Sequence, residues 1–270
     1  MILKKDKLSI IIVTWNTAQI TKKCVDTINQ YIPGQEIIVV DNGSEDNTVE
    51  ILKKIKNVKL IENGANLGFA KANNIGLKSA TSDYVIFMNS DIELLDNSIL
   101  NMVDFLKNNP KIGIIGPKFL NPDLSPQASV FPPQTILNAF REFWLGQKEA
   151  YSKYIPQSKS PTEVSYISGG CLAVNKIYFQ KIGKWNETYF FYFEDMDLCR
   201  QVRKSGQKIY YYPECQIIHC HGASGKNIAP AKDQWKRLIP GSKKFHGILK
   251  HYLINLTIWS GQKLQKLFQK

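Results

Sequence analysis

Asp41 and Asp91 each close a run of apolar, strand-forming residues, Ile37-Ile38-Val39-Val40 and Tyr84-Val85-Ile86-Phe87-Met88. Open α/β sheets bind ligands at the carboxyl ends of their strands, so carboxylates delivered there stand where chemistry is done. Asn89-Ser90-Asp91 places one of them beside other oxygen donors, a grouping able to hold a hard divalent cation, Mg2+ or Mn2+, against a diphosphate. The same residues could instead cap a helix that starts near Asn97, and the motif alone leaves both readings open. A third acidic cluster, Glu194-Asp195-Met196-Asp197, follows the aromatic run Tyr189 to Phe193. A carboxylate emerging from such a wall is partly desolvated, which raises its pKa toward use as a general base. Acids in a first helical turn also stabilise the helix dipole, by about 0.3–1 kcal/mol each. Asp197 lies at ion-pair spacing before Arg200, so it reads as the more structural of the three.

Two further groups carry polar chemistry. Gly68 sits within Asn66-Leu67-Gly68-Phe69, which runs on to Asn73-Asn74-Ile75-Gly76. Glycine at a helix start lets backbone N–H groups approach a phosphate; the competing use of these residues is simply to manage turns. Neither the Gly-x-Gly-x-x-Gly of dinucleotide binders nor the Walker lysine pattern is present, which argues against a Rossmann dehydrogenase and a P-loop enzyme. Late in the chain, Cys215, His219 and His221 share one face of a strand. Structural zinc would need a second Cys/His cluster, and none follows. One imidazole joining Asp91 on Mn2+ or Mg2+, or a packed histidine without metal, are the other readings.

Alternating strands and helices position these groups. Strands are expected at Leu8–Thr14, Glu36–Val40, Val58–Ile61 and Tyr84–Met88, with helices over Ala18–Gln30, from Ser44 through Ile55, and from Gly68 to about Ser79. That rhythm implies parallel βαβ units. From Lys118 to Thr162 prolines break the pattern, and Phe140, Phe143 and Trp144 mark one amphipathic piece. An irregular stretch of this length fits a substrate loop or lid. Regularity returns at Ser168-Gly169-Gly170-Cys171 and continues to Val174, then in a helix from Asp195 to Ser205 and strands at Lys208–Tyr212 and Gln216–His219.

The 270 residues, 43% hydrophobic, suffice for one large core, and no linker or repeat divides them. Five cysteines without a scaffold rhythm point to a reducing compartment. The lysines before Leu8–Trp15 superficially resemble a secretory signal, but polar Asn16 follows without a small-residue cleavage site. No apolar run approaches the roughly 20 residues of a membrane span. A net charge of +12 calls for a polyanionic partner: nucleic acid, anionic lipid or a diphosphate substrate. The basic residues form neither an arginine-rich helix nor an aromatic-basic RNA signature, and much of the late excess lies in the C-terminal tail.

In order along the chain, Ile11-Ile12-Val13-Thr14-Trp15-Asn16, Val39-Val40-Asp41-Asn42-Gly43-Ser44, the Asn66–Gly76 segment, Met88-Asn89-Ser90-Asp91, Ser168-Gly169-Gly170 and Phe193-Glu194-Asp195-Met196-Asp197-Leu198-Cys199-Arg200 resemble the motifs of family 2 glycosyltransferases, within them the bacterial rhamnosyltransferase-like group. The likeness runs from Leu8 to Gly225. It implies a GT-A α/β fold: a single Rossmann-like, mostly parallel sheet flanked by helices. Residues 1–225 would form the catalytic domain and residues 226–270 a C-terminal amphipathic helical appendage. By position, Asp41 would bind the pyrimidine of a nucleotide-sugar with Thr14 beside it. Asn16, Gly68, Asn73, Asn74, Asn89, Ser90, Gly169 and Gly170 would complete the donor site. Asp91 would be the last aspartate of the metal-binding Asp-x-Asp motif, joined by His219 or His221. Asn89 stands where many relatives have Asp, and Ser90 where the rhamnosyltransferase-like group commonly has proline. Asp195, with Glu194 before it, would be the catalytic base.

The expected activity is inverting transfer from dTDP-rhamnose or a UDP-sugar to a glycan or lipid-linked acceptor. A sugar nucleotidyltransferase would need a glycine-rich basic signature after the first strand, where Trp15-Asn16-Thr17-Ala18 has none. A nucleic-acid-binding protein would not need acids at strand ends, so no nucleic acid is expected as a partner. From Lys243 to Lys270, apolar residues including Phe245, Leu249, Tyr252, Leu253, Leu256 and Trp259 recur at helical spacing among lysines. This predicts docking on an anionic membrane, and the resemblance implies the cytoplasmic face of the membrane in a bacterial cell. The same stripe could instead pack on the catalytic domain or form a homodimer.

Overall fold

The computed structural model describes residues 7–220 and 235–268. Its strands are β1 (Ser9–Thr14), β2 (Glu36–Asp41), β3 (Val58–Glu62), β4 (Tyr84–Asn89), β5 (Ile92–Leu94), β6 (Ile112–Leu120), β7 (Pro126–Gln127), β8 (Val130–Phe131), β9 (Thr162–Glu163), β10 (Tyr166–Ile167), β11 (Cys171–Asn175) and β12 (Lys208–His219). The helices are α1 (Ala18–Tyr31), α2 (Thr48–Lys53), α3 (Phe69–Ser79), α4 (Ser98–Asn108), α5 (Ile136–Phe143), α6 (Lys176–Lys181), α7 (Glu194–Lys204), α8 (Leu238–His246) and α9 (Ile248–Phe268).

The main sheet runs β3-β2-β1-β4-β11-β6-β12-β5. β1, β2, β3 and β4 pair in parallel, whereas β11 enters antiparallel between β4 and β6. The central strands are apolar throughout because both faces are covered. Ile10, Ile12, Ile37 and Val39 enter one core, while Ile11, Ile38 and Val40 enter the other. Full burial of each such side chain contributes about 1.5–3 kcal/mol. Helices close these faces with apolar stripes at i, i+3 and i+4 spacing, as Thr21, Cys24, Val25 and Ile28 show in α1.

Register assembles the functional edge. Thr14 pairs with Asp41, and Val13 with Asn89, so the ends of β1, β2 and β4 lie side by side. Cys171 pairs with Met88, placing Gly169-Gly170 at that edge, and His219 pairs with Ile92, directly after Asp91.

Several elements differ from the sequence reading. β5 and most of β6 were not expected, and β6 is a central, nine-residue strand with two-sided burial. The two expected late strands are one strand, β12, with a register shift between Tyr212 and Gln216 around Pro213. The 118–162 stretch holds the end of β6, then β7, β8 and α5. The C-terminal stripe is divided between uses. Phe245 and Ile254 are buried, while Leu249, Tyr252, Leu253, Leu256 and Trp259 are exposed. α9 rests on α5: Trp144 Nε1 donates to Thr257 O at 3.1 Å, and Gln265 Nε2 donates to Phe143 O at 2.9 Å. Among the described residues no helix is long and apolar enough to cross a membrane.

Candidate active site

Asp41 ends β2 at 2% exposure. Its Oδ2 accepts the N–H groups of Gly43 at 3.1 Å and Ser44 at 3.0 Å, which shape the loop. Its Oδ1 is buried without a partner among the described residues. A buried acceptor left unmade costs about 1–3 kcal/mol, so this oxygen is suited to an N–H brought by a ligand. Asn16, at φ 52°, braces the same loop: its Oδ1 accepts from Glu45 N at 2.7 Å and its N–H donates to Ser44 Oγ at 2.8 Å. Thr14 lies beside Asp41 by register and lines the cleft described below. Its hydroxyl lies 2.9 Å from Thr17 Oγ1 and 2.6 Å from Thr21 Oγ1, engaged inside a threonine cluster that anchors α1.

Asp91 and His219 meet across β5 and β12, with His219 Nε2 3.4 Å from Asp91 Oδ1. That Oδ1 makes no hydrogen bond among the described residues. On the far side of the ring, Nδ1 lies 2.6 Å from Gln127 Oε1. The amide of Gln127 is itself oriented, because its Nε2 donates to Asn121 Oδ1 at 2.8 Å and His219 O at 3.0 Å. Its oxygen therefore faces the imidazole and draws the proton to Nδ1, so in the neutral ring the lone pair on Nε2 points toward Asp91. Two electron-rich atoms facing each other fit a cation between them, in the manner of a histidine ligand oriented from behind. His221 lies outside the described residues. Among those residues no group of three His, Cys, Asp or Glu side chains comes together, so ligand oxygens would have to complete a coordination shell. Cys215 is fully buried among apolar core residues, where burial pushes its thiol up to about 12, and no second Cys/His ligand joins it among the described residues.

The acidic pair starts α7 immediately after Tyr192 and Phe193, both at positive φ, 70° and 69°. Successive positions on a helix point about 100° apart, so the two carboxylates leave α7 in different directions. Glu194 is 7% exposed, and its Oε2 has no partner among the described residues. Burial and the neighbouring Asp195 charge raise its pKa well above the usual carboxylate range. Asp195 keeps partial exposure; its Oδ2 accepts the Gly169 N–H at 3.1 Å and its Oδ1 that of Met196 at 2.8 Å. Burial raises this carboxyl too, against the N–H of Gly169 and the charge of Lys153. Gly170 serves the neighbouring strand, its carbonyl accepting Asn89 N–H at 2.8 Å. Asp197 is structural as read, bound by Arg200, Asn186 and Gln201.

A cleft of about 610 Å³ opens along this edge. Thr14, Trp15, Asn42, Asn66, Gly68, Asn89 and Ser90 line it together with Tyr189 to Phe191, Arg237 and Lys244. Gly68 does not present a free phosphate cradle. Its N–H donates to Asn66 Oδ1 at 3.1 Å, and that of Phe69 to Phe190 O at 3.0 Å. The φ of 83° serves a close approach instead, since a Cβ here would stand 2.5 Å from Phe190 O. Asn74 is likewise occupied, donating to Trp185 O at 2.8 Å and Glu187 Oε1 at 2.9 Å. Asn73 donates to Phe69 O at 3.0 Å and leaves its Oδ1 buried without a partner. Ser90 Oγ lies 3.4 Å from Thr17 Oγ1. Sequence reasoning missed Gln127, Arg237 and Lys244. Gln127 and Arg237 belong to no recognisable motif, and Lys244 was counted within the basic tail that starts at Lys243.

A model of glycosyl transferase family 2 matches residues 9–183. The chain belongs to glycosyl transferase family 2. It is 29% identical over 213 residues to the N-acetylglucosaminyl-diphospho-decaprenol L-rhamnosyltransferase of Mycobacterium tuberculosis, covering 72% of this chain and 69% of that one. It is 25% identical to the low-salt glycan biosynthesis hexosyltransferase Agl10 of Haloferax volcanii, over 79% of this chain and 66% of the other. Among solved structures, the mannosyltransferase PcManGT of Pyrobaculum calidifontis, in complex with GDP-Man and Mn2+, superposes with a TM-score of 0.60 at 16% identity, covering 94% of this chain and 65% of that one. The chain thus spans about two thirds of the length of each. The fold is GT-A, and this family 2 protein is a glycosyltransferase that draws on a nucleotide-sugar.

Proposed function

We propose that this family 2 glycosyltransferase moves a sugar, with inversion, from dTDP-rhamnose or a UDP-sugar to a glycan or lipid-linked acceptor, with Asp195 as the base. The observation that carries this reading is the contrast within the acidic pair. Asp195 is partly exposed and held by the Gly169 N–H, whereas Glu194 is buried with an unpartnered oxygen. The buried member retains its proton more readily, which leaves Asp195 as the carboxylate that ionises first. In the reaction, Asp195 takes the proton of the acceptor hydroxyl as that oxygen bonds to the anomeric carbon, and the bond to the nucleoside diphosphate breaks with its electron pair. Asp41 Oδ1 would accept the imide N–H shared by uracil and thymine, orienting the base. Asp91 and His219 Nε2, positioned by Gln127, would hold Mg2+ or Mn2+. Such a cation, when bound, supplies electrostatic stabilisation to the departing diphosphate.

The working unit includes α8, whose residues line the cleft, so we place the catalytic unit beyond residue 225. The exposed apolar face of α9 reads as the contact with an anionic, acceptor-bearing membrane on its cytoplasmic face. It lies in a stretch from Trp235 to Lys270 that holds many lysines and no acidic residue. Protection against thermal unfolding by a panel of nucleotide-sugars, with and without Mn2+, tests the donor reading. A pyrimidine nucleotide-sugar should raise Tm more with Mn2+ than with EDTA. No protection by any member, in either condition, would contradict it.

A further inference from the structure

Lys153 lies in the irregular stretch between α5 and β9, and the chain on both sides of it is fixed. Tyr151 is held through both of its backbone groups: its N–H donates to Glu142 Oε2 at 2.7 Å, and its carbonyl accepts from Gln134 Nε2 at 2.8 Å. Ser152 N donates to the same Glu142 oxygen at 2.9 Å. Tyr154 is held by Val130, its N–H donating to Val130 O at 2.8 Å and its carbonyl accepting from Val130 N at 3.4 Å. Polar networks satisfied in this way make a loop rigid. The ammonium between these anchors takes no part in them. Lys153 Nζ lies 4.8 Å from the Phe131 ring centre, and among the described residues it has no hydrogen bond or ion pair.

Phe131 leads to the base. It pairs with Tyr166 across β8 and β10, and Val130 with Ile167. The ladder continues as Ser168 N donates to Ser129 O at 2.8 Å, and the next residue, Gly169, donates its N–H to Asp195 Oδ2 at 3.1 Å. Three adjacent backbone segments thus carry Lys153 toward Asp195, outside the donor cleft, which neither residue lines. Each charge acts on the other. Solvent reaches Lys153, yet crowding around its ammonium lowers its pKa, against the pull of Asp195. Burial raises Asp195, against the Gly169 N–H and the Lys153 charge. The other titratable groups beside Asp195 lie on its own helix. Glu194 would add a second negative charge, and Cys199 stays a neutral thiol because burial pushes it up to about 12.

We propose that Lys153 is a positioning residue for the transfer reaction, whose fixed ammonium decides which member of the acidic pair gives up its proton. The inference rests on the reading of Asp195 as the base. When two carboxyl groups share a buried site, one of them holds its proton well above the usual range. A cation on one side of the pair favours charge on the carboxyl it acts on, so Asp195 ionises and Glu194 keeps the proton. The acceptor hydroxyl then meets a carboxylate rather than an acid, while the ammonium neither takes nor gives a proton. Being anchored, it acts without reorganising as the acceptor arrives.

Carbon-13 NMR of the Asp195 carboxyl tests this without substrate, in full-length protein labelled at aspartate, the signal being assigned by its loss in Asp195→Asn. In Lys153→Met the carboxyl should hold its proton to higher pH than in wild type, and Lys153→Arg should restore the wild-type midpoint. Lys159→Met, at an exposed lysine of the same stretch, should leave the midpoint in place. The acid limb of the pH–rate profile, read as UDP or dTDP released from the nucleotide-sugar, should follow. At a pH on that limb kcat/KM should fall about two- to fivefold in Lys153→Met, the effect of one partly solvated opposite charge. A loop loosened without any electrostatic role would lower the rate equally at every pH. Thermal melts check folding, and Lys153→Gln serves the same purpose if Lys153→Met does not fold. A midpoint that is the same in the folded variant and wild type overturns the inference, and so does an equal shift in Lys159→Met. A limb that stays put while the midpoint moves overturns the reading of Asp195 as the base, and with it any role of Lys153 in the reaction.

Discussion

Glu194 turns inward with Oε2 unpartnered, while Asp195 beside it accepts two backbone N–H groups and keeps one side toward solvent. The difference has a pH signature. The folded-state pKa of Glu194 is raised above its unfolded value, so the folded state holds that proton more tightly. The stability this supplies is fully present below the ordinary glutamate range and is lost as pH rises through the folded value. Glu194→Gln should therefore flatten the fall in Tm as pH rises from 4.5 to about 8, and a fall as steep as that of wild type would show that Glu194 ionises without cost. Gln127 allows a second test at this scale. Gln127→Leu removes the group that holds the proton on Nδ1 of His219 and so frees the ring to change tautomer. Loss of such an outer partner typically costs about 10–100-fold in metal affinity. Titration of the variant with donor should show weakened binding in Mn2+ and unchanged binding in EDTA. Equal loss in both conditions would make Gln127 a fold residue only.

At the scale of elements, α5 and α9 present Phe140, Trp144, Leu249, Tyr252, Leu253, Leu256 and Trp259 to solvent, with lysines along α9. Each basic residue near an anionic leaflet adds about 1 kcal/mol to adsorption. A chain ending before Lys243 is a poor test, because it removes buried Phe245 and part of the cleft wall. Leu253→Gln with Leu256→Gln and Trp259→Gln leaves both intact. Wild type should co-sediment with anionic vesicles at low salt and the triple variant should not. Equal pelleting, or a concentration-dependent dimer that the variant abolishes without any vesicle effect, would contradict membrane docking. The helices and parallel strands before Asn89 were legible because their apolar spacing is regular and their caps and turns punctuate it. β6 was not legible, since Ile112-Gly113-Ile114-Ile115-Gly116-Pro117 mixes branched residues with breakers. Its pairing with β11 and β12 stabilises it, and those partners are distant in sequence.

For the whole molecule, one edge of the sheet gathers groups spread from Asp41 to Lys244, and register is what gathers them. Asp41, Asp91 and Asp195 could be read from sequence because each interrupts an apolar or aromatic run. The functions of Gly68 and Asn74 could not, since their partners, Phe190 and Trp185, arrive from more than a hundred residues away. Thr14 and His219 show the same limit: the residue was visible, but the hydroxyl cluster around one and Gln127 behind the other were not. The chain belongs to a family of sugar transferases, and the structure adds a contrast within the acidic pair, Glu194 buried and Asp195 partly exposed, on which the proposal of Asp195 as the base rests. The most direct measurement is sugar transfer by Asp195→Asn alongside calorimetric binding of the same nucleotide-sugar. Loss of a general base removes about 10²–10⁴ of rate, so transfer should fall by at least about a hundredfold while donor affinity stays within a few-fold of wild type. Transfer above about a tenth of wild type would contradict a base at Asp195 and reduce it to a helix-start residue.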